Sequence, residues 1–298
     1  MAAILRKELT DYFSSPKLIV IMLLTAAGSA LALYGAFHAV SGTQTQFAFL
    51  GLYTSQVMPS AQAVVAYYLV YPNYLTYILM PLAGILLGYN AVNKERPTLN
   101  RLMSQSIYRD NIINAKLIAG IFVMVVVTAV SILLIAGYGM RMIGVPPSSE
   151  ELLRLFFFAF TIVLYGAFWM GLSMFFSSVI KNRTVSFVVP AVIWIVLGVY
   201  VFILPRFITT QTTALALMRI SPTEWFTESS MVLLIPQCSV MNLATKATQD
   251  LMSYLMFNPL TFGQSLAITW VYIIDVIAAT VVCFGVTYIL FVRKRMTA

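Results

Sequence analysis

Leu117–Met140 reads LIAGIFVMVVVTAVSILLIAGYGM, 24 residues without a charge. A helix that crosses the hydrocarbon core needs about 20 apolar residues, so this stretch can span a membrane by itself. Working outward, further charge-free runs lie at 155–180, 184–205, 251–274 and 276–292, the last two divided only by Asp275, and a longer one at 18–93. Of the 298 residues, 60% are hydrophobic and 9% charged, where a soluble domain carries about 25% charged residues. A soluble chain of this length would lack the charge to cover its surface. The composition excludes a soluble globular enzyme, a disordered chain and a coiled coil, and leaves an all-α polytopic membrane protein.

The run at 18–93 is long enough for two or three spans. Residues 18–37 and 75–92 are clean candidates, whereas 39–74 carries Gln44, Gln46, Gln56, Pro59, Gln62, Pro72 and Asn73 and suits an exposed loop. Residues 1–17 and 93–116 are both basic, and the positive-inside rule puts both in the cytoplasm, which two spans satisfy and three do not. The expectation is one transmembrane domain over 1–298 with six spans at about 18–37, 75–92, 117–140, 155–178, 184–204 and 266–292. Both termini are then cytoplasmic, and the location is the cell (plasma or inner) membrane. Of the 18 Lys and Arg residues, thirteen fall inside on this scheme and five (Arg141, Arg154, Arg206, Arg219, Lys246) outside. Residues 18–37 are too long for the apolar core of a signal peptide, about 7–15 residues, and are read as a retained first span.

The same counts limit the chemistry. One histidine, His38, and two cysteines, Cys238 and Cys283, cannot supply a His/Cys metal site of four ligands or a disulfide framework. No catalytic or metal-binding set is expected, since intramembrane hydrolysis needs paired acids, a Ser/His pair or metal ligands in the spans. The net charge of +8 comes from short basic islands between apolar runs, not from one solvated face, so nucleic acid is not the expected partner. No G-x-x-x-x-G-K-[ST] loop occurs, so the chain does not cradle ATP by that route. Its energy comes from a partner or an ion gradient.

Three segments promise more than a crossing. Residues 3–17, AILRKELTDYFSSPK, place Ile4, Leu5, Leu9, Tyr12 and Phe13 on one side of a helix and Arg6, Lys7, Glu8 and Asp11 on the other, the pattern of an interfacial helix ahead of Pro16. Residues 93–116, NKERPTLNRLMSQSIYRDNIINAK, exceed the usual helix connection of about 2–8 residues. Leu99, Leu102, Met103 and Ile107 recur there at helical spacing among Arg96, Arg101 and Arg109, as in a short helix parallel to the membrane. In 206–265, Ser221-Pro222-Thr223-Glu224 reads as a capping box starting a helix that ends before Pro236. A second helical pattern follows over about 239–254, and both segments are too short to span. Within the spans, Gly84 and Gly88 form a GxxxG pair that lets two helices approach closely. Pro190 falls within the fifth span, where a kink is expected. Asp275 lies about 14 Å into the last span, a candidate pathway residue because intramembrane carboxylates are costly.

Thr98-Leu99-x-x-Leu102-Met103-Ser104-x-x-x-x-Arg109-x-x-Ile112-x-x-x-Lys116, preceded by Glu95, resembles the loop between the second and third spans of ABC-2-type permeases. Pro97, Ser106 and Ala115 depart from that pattern, which has Gly, Pro and Gly there. The opening Arg6-Lys7-Glu8-Leu9…Ser15-Pro16, the external Ser221-Pro222-x-x-Trp225-Phe226-x-Glu228-Ser229 and the terminal Phe291-x-Arg293 are similar to other parts of the family. Arg295 stands where an acidic residue is common.

The resemblance implies the transmembrane subunit of an ATP-binding-cassette transporter, usually an exporter. It implies that Glu95, Arg96, Thr98, Leu99, Arg101, Leu102, Met103, Ile107 and Arg109 form a cytoplasmic coupling helix docked on a separate ATPase subunit. The segment with Arg6, Lys7 and Glu8 would be an elbow helix nearby, and the helices between spans 5 and 6 would be re-entrant or amphipathic at the external end. The expected partners are two ATPase copies, which bind the ATP and Mg, a second permease chain, identical or different, and the lipid bilayer. This chain itself would hold no cofactor. The aromatic, apolar spans suit an amphipathic or lipid-like substrate. A proton-coupled carrier using Asp275 is the alternative, against which stands the lack of several buried ionisable groups and of internal repeats.

Overall fold

The computed structural model describes residues 2–40, 74–91, 109–143, 146–207, 219–234 and 260–293. Within them the chain forms eight α-helices and no strand. They are α1 Ala2–Phe13, α2 Pro16–Val40, α3 Tyr74–Gly88, α4 Arg109–Ile143, α5 Ser149–Val179, α6 Arg183–Phe207, α7 Pro222–Leu234 and α8 Phe262–Arg293. In hydrocarbon every backbone N–H and C=O has to be satisfied internally, and an uninterrupted apolar run achieves this as a helix. Asn111–Tyr138, Ser149–Val179 and Phe262–Phe291 are each long and apolar enough to cross, and α1 with α2, bent by 59°, make a fourth if taken as one span. Ile78–Gly88 and Arg183–Gly198 are shorter apolar helices. The chain is an all-helical, multi-pass membrane protein.

α5 is the spine, packed against α3, α4, α6, α7 and α8. Its apolar window is 61% buried inside the protein, against 22% for α8. α3 approaches it most closely at two glycines. A Cβ on Gly84 would lie 2.5 Å from the Gly166 carbonyl oxygen, and one on Gly88 2.6 Å from that of Met170. Ser173 Oγ donates to the Ile85 carbonyl across the same seam at 3.1 Å. These pairings make α3 and α5 parallel. Gly120 meets Met170 and Gly166 meets Met124, so α4 runs antiparallel to α5. Phe157 packs on Phe262 and Gly171 on Cys283 and Phe284, so α8 is parallel to α5.

α7 enters this bundle without crossing it. The Tyr165 hydroxyl lies 3.4 Å from Thr223 Oγ1, and Ser221 Oγ donates to the Leu197 carbonyl. Tyr165 is about 21 Å along α5 from Val179, near the middle of its 31 residues. α7 therefore starts at about half depth and runs back to the end where α5 begins, where the Leu233 carbonyl accepts from Arg154. Its 13 residues are too few to span.

Several local expectations give way. Residues 109–116 are not loop: α4 starts at Arg109, because Ile112, Ile113 and Ala115 face the bundle at 5%, 4% and 0% exposure. α8 likewise starts at Phe262, and α3 ends at Gly88 in a turn through Ala91. The Ser221 hydroxyl is engaged by Leu197, so the Glu224 N–H goes instead to the Ser221 carbonyl at 3.0 Å. A reciprocal capping box is built at Ser148–Glu151, where Ser148 Oγ accepts from the Glu151 N–H and the Glu151 carboxylate accepts from the Ser148 N–H at 2.8 Å. The pattern at 239–254 lies outside the described residues.

Gly84→Ala is expected to destabilise the protein by about 1–3 kcal/mol, because the methyl meets backbone that cannot move aside. Gly285→Ala, which meets open space, is the control. Thermal unfolding of both variants in the same detergent checks this, and equal midpoints would contradict the packing.

Candidate functional site

The functional residues expected in 93–116 fall mostly outside the described residues: Glu95, Arg96, Thr98, Leu99, Arg101, Leu102, Met103 and Ile107 all do, and of Arg109 only the backbone, at the start of α4, is described. The helices that flank this segment are described, and α1 touches both. On the α4 side, Lys116 Nζ donates to Glu8 Oε2 at 2.9 Å, with the two side chains 6% and 5% exposed. Glu8 Oε1 also lies 3.8 Å from Lys7 Nζ. On the α3 side, the Tyr12 hydroxyl donates to the Leu87 carbonyl at 3.5 Å, and just beyond α1 Lys17 Nζ, at the start of α2, stands 4.3 Å above the Tyr89 ring, a cation–π arrangement. Tyr89 also packs edge-on against Phe187 of α6, and its carbonyl accepts from Ser186 Oγ.

The helix α1 is therefore turned differently from its sequence pattern. Glu8, expected on the solvated face, is buried, while Arg6 and Lys7 are exposed. The apolar Leu5, Leu9 and Phe13 line an open groove on the far side. A charge is excluded from an interior unless it is paired, and Lys116 supplies the pair. Removing one member of such a pair costs about 3–5 kcal/mol. Between α1 and α3 lies a cavity of about 80 Å³ whose lining includes Asp11, Tyr12, Lys17, Leu87 and Asn90. Sequence reasoning named Lys116 only as the end of a motif and passed over Tyr12 and Asn90 as partners. The available signal was a lysine one position from a long apolar run, since such a residue must find a carboxylate or reach the interface.

At the opposite end Arg154, expected to mark an external loop, is fully buried. Its guanidinium donates to Glu150, Ser265 Oγ and the carbonyls of Leu260 and Leu233, tying α5, α7 and α8 together. α7 carries Glu224 and Glu228, 4% and 2% exposed. Arg219 Nε is 3.7 Å from Glu228 Oε1, so two acids share one base. Burial, then the Glu228 charge, push the Glu224 carboxyl up to about 8 against the pull of Arg219. Glu228 is also raised by burial, which its Tyr272 hydrogen bond and Arg219 oppose. Asp275 is half-buried on α8, at the border between inward Tyr272 and Val276 and outward Ile274 and Ala278. Among the described residues no group of His, Cys, Asp and Glu could hold a metal.

Arg154→Met should lower stability by about 1–3 kcal/mol, since it leaves the buried Leu233 carbonyl and Ser265 hydroxyl without their donor while Glu150, 39% exposed, stays solvated. Thermal unfolding checks it. The Glu224 site accepts the neutral acid. Below the ordinary value of 4.5 it is protonated folded or unfolded and costs nothing. Between 4.5 and about 8 only the folded state holds the proton, so stability falls as pH rises through this window. Glu224→Gln is expected to flatten that fall, and comparing unfolding midpoints at pH 5 and pH 9 in both proteins tests it.

No curated protein matches the chain significantly. The family described as "ABC-2 family transporter protein" matches it over residues 2–296. That match takes in the α1 junction, the α5 spine and the α7 cap together. A membrane protein matched along nearly its whole length in this way belongs to the ABC-2 family and is a membrane transport subunit.

Proposed function

We propose that this chain is the permease subunit of an ATP-driven exporter, with six spans, cytoplasmic termini and a place in the cell membrane. The observation that carries the reading is the grip of α1, with Lys17 at the start of α2, on both helices that flank 92–108. Any displacement of that segment reaches the bundle through α3 and α4. An elbow helix tied to both, beside a coupling helix, is what a lever between a soluble ATPase and the spans requires. The alternation of α3, α4 and α5 supports crossings in opposite directions. α2, α6 and α8 supply the remaining three spans, and α7 closes the external end without crossing.

In this reading two ATPase subunits bind ATP and Mg and close together on them. Leu99, Leu102, Met103 and Ile107 make the apolar contact with the ATPase, and Arg96, Arg101 and Arg109 set its register, in a coupling segment that also holds Glu95 and Thr98. Arg6 and Lys7 on the exposed side of α1 face anionic headgroups or the same ATPase. The movement passes into the spans as a rigid-body rotation, against a second permease chain. The cargo is amphipathic or lipid-like, in keeping with apolar, aromatic walls. A proton-coupled carrier rests on Asp275 alone, and the family match does not favour it.

Affinity purification from the native membrane is expected to bring down a soluble ATPase in stoichiometric amount, with ATP hydrolysis in the eluate. Leu102→Asp should leave the chain in the membrane and cost at least about tenfold of the bound ATPase. A preparation without ATPase, or one whose ATPase is retained by the Leu102→Asp protein, contradicts the assignment.

A further inference from the structure

We propose that the Glu8–Lys116 pair is the joint that makes α1 and α4 move as one body, while α1 slides against α3. Glu8 and Lys116 are then positioning residues for the transport cycle. The inference rests on the permease reading above and adds to it which of the two flanking helices carries the elbow.

The contacts of α1 are unequal. Towards α4 it has a hydrogen-bonded ion pair at 2.9 Å with both side chains almost wholly buried. Such a contact is short-ranged and directional, and separating it leaves a charge in a low-dielectric interior, so it holds through a movement. Lys116 is about 10 Å along α4 from Arg109, so it follows the first turns of the helix that emerges from the segment. Towards α3 it has a hydroxyl–carbonyl contact from Tyr12 at 3.5 Å, and Lys17, at the start of α2, adds an ammonium over the Tyr89 ring at 4.3 Å. Both are at the long end of their kind and tolerate a shift.

Space and polarity on the α3 side agree with this. The cavity of about 80 Å³ lies against Leu86, Leu87, Asn90 and Ala91 of the α3 end and its turn. Asn90 Oδ1 there is buried without a hydrogen-bond partner among the described residues. An acceptor left unpaired in one arrangement, beside room to move and the Lys17 cation in the same lining, has a partner within reach in another.

The test uses the permease–ATPase complex in lipid nanodiscs, with Cys238 and Cys283 replaced by serine. Spin labels are placed in two pairs, Thr10→Cys with Lys181→Cys and Ile118→Cys with Lys181→Cys, all exposed positions. The first pair reports α1, the second α4, and each distance is measured without nucleotide and after trapping with ATP and vanadate. In the otherwise unaltered complex both distances are expected to shift. In Lys116→Met or Glu8→Gln the α4 shift should remain and the α1 shift should be lost. The exchanged pair, Glu8→Lys with Lys116→Glu, should restore it.

An α1 shift that persists in Lys116→Met overturns the joint. So does an exchanged pair that assembles and moves α4 but leaves α1 behind, which also covers single variants that fail to fold. Failure of the permease reading looks different: no ATPase accompanies the chain, or α4 itself does not respond to nucleotide in the unaltered complex.

Discussion

The close approach of α3 to α5 is the constraint on which the rest of the structure depends. In a bilayer, lipid tails are as apolar as the helices, so burial of apolar surface gives little drive for helices to associate, and close packing and buried hydrogen bonds have to do it. Gly84 and Gly88 remove the side chains that would hold α3 away, and backbone meets backbone along Gly166 and Met170. The Ser173 hydroxyl then reaches the Ile85 carbonyl. With α3 fixed on the spine, the end of α3 and the start of α6 come together at Tyr89 and Phe187, and α4 packs Met124 against Gly166.

Around that apolar seam the two ends of the bundle are built from charge. At one end Glu8 and Lys116 neutralise each other inside the protein. At the other, Arg154 is held by one carboxylate, one hydroxyl and two carbonyls. The two arrangements differ in kind. Arg154 joins three helices through a planar fork with several fixed partners, which suits a rigid cap. Lys116 is a point charge at the end of a flexible stem, paired from α4, which follows the segment nearest the proposed ATPase, to α1. The acid pair on α7 is less settled still, because Arg219 cannot neutralise both Glu224 and Glu228.

The membrane character, the helical class and the family were legible in the chain of residues itself. Apolar runs of more than about 20 residues admit few structures in lipid, and the motifs at Arg6–Pro16 and Thr98–Lys116 carry the family's pattern. The short helix Pro222–Leu234 was also legible from Pro222 and the following apolar run. The facing of α1 was not. A helical wheel sorts residues by polarity, and it put Glu8 with Arg6 and Lys7, yet a carboxylate faces inward when a lysine waits there. The wheel has no knowledge of Lys116, more than a hundred residues away. The capping box was misplaced for a similar reason: Ser148 and Glu151 make one at the start of α5, while the hydroxyl of Ser221 is drawn to a carbonyl of α6.

By itself, then, the sequence determined that this protein lives in a membrane as helices and to which transporters it is akin, because those properties depend on composition and local spacing. Only the tertiary structure decided which charges are buried, that α1 holds the helices on both sides of 92–108, and that α7 starts at about half depth. These depend on pairings between residues far apart in the chain, whose strength comes from the low dielectric of an interior that exists only once the helices have packed.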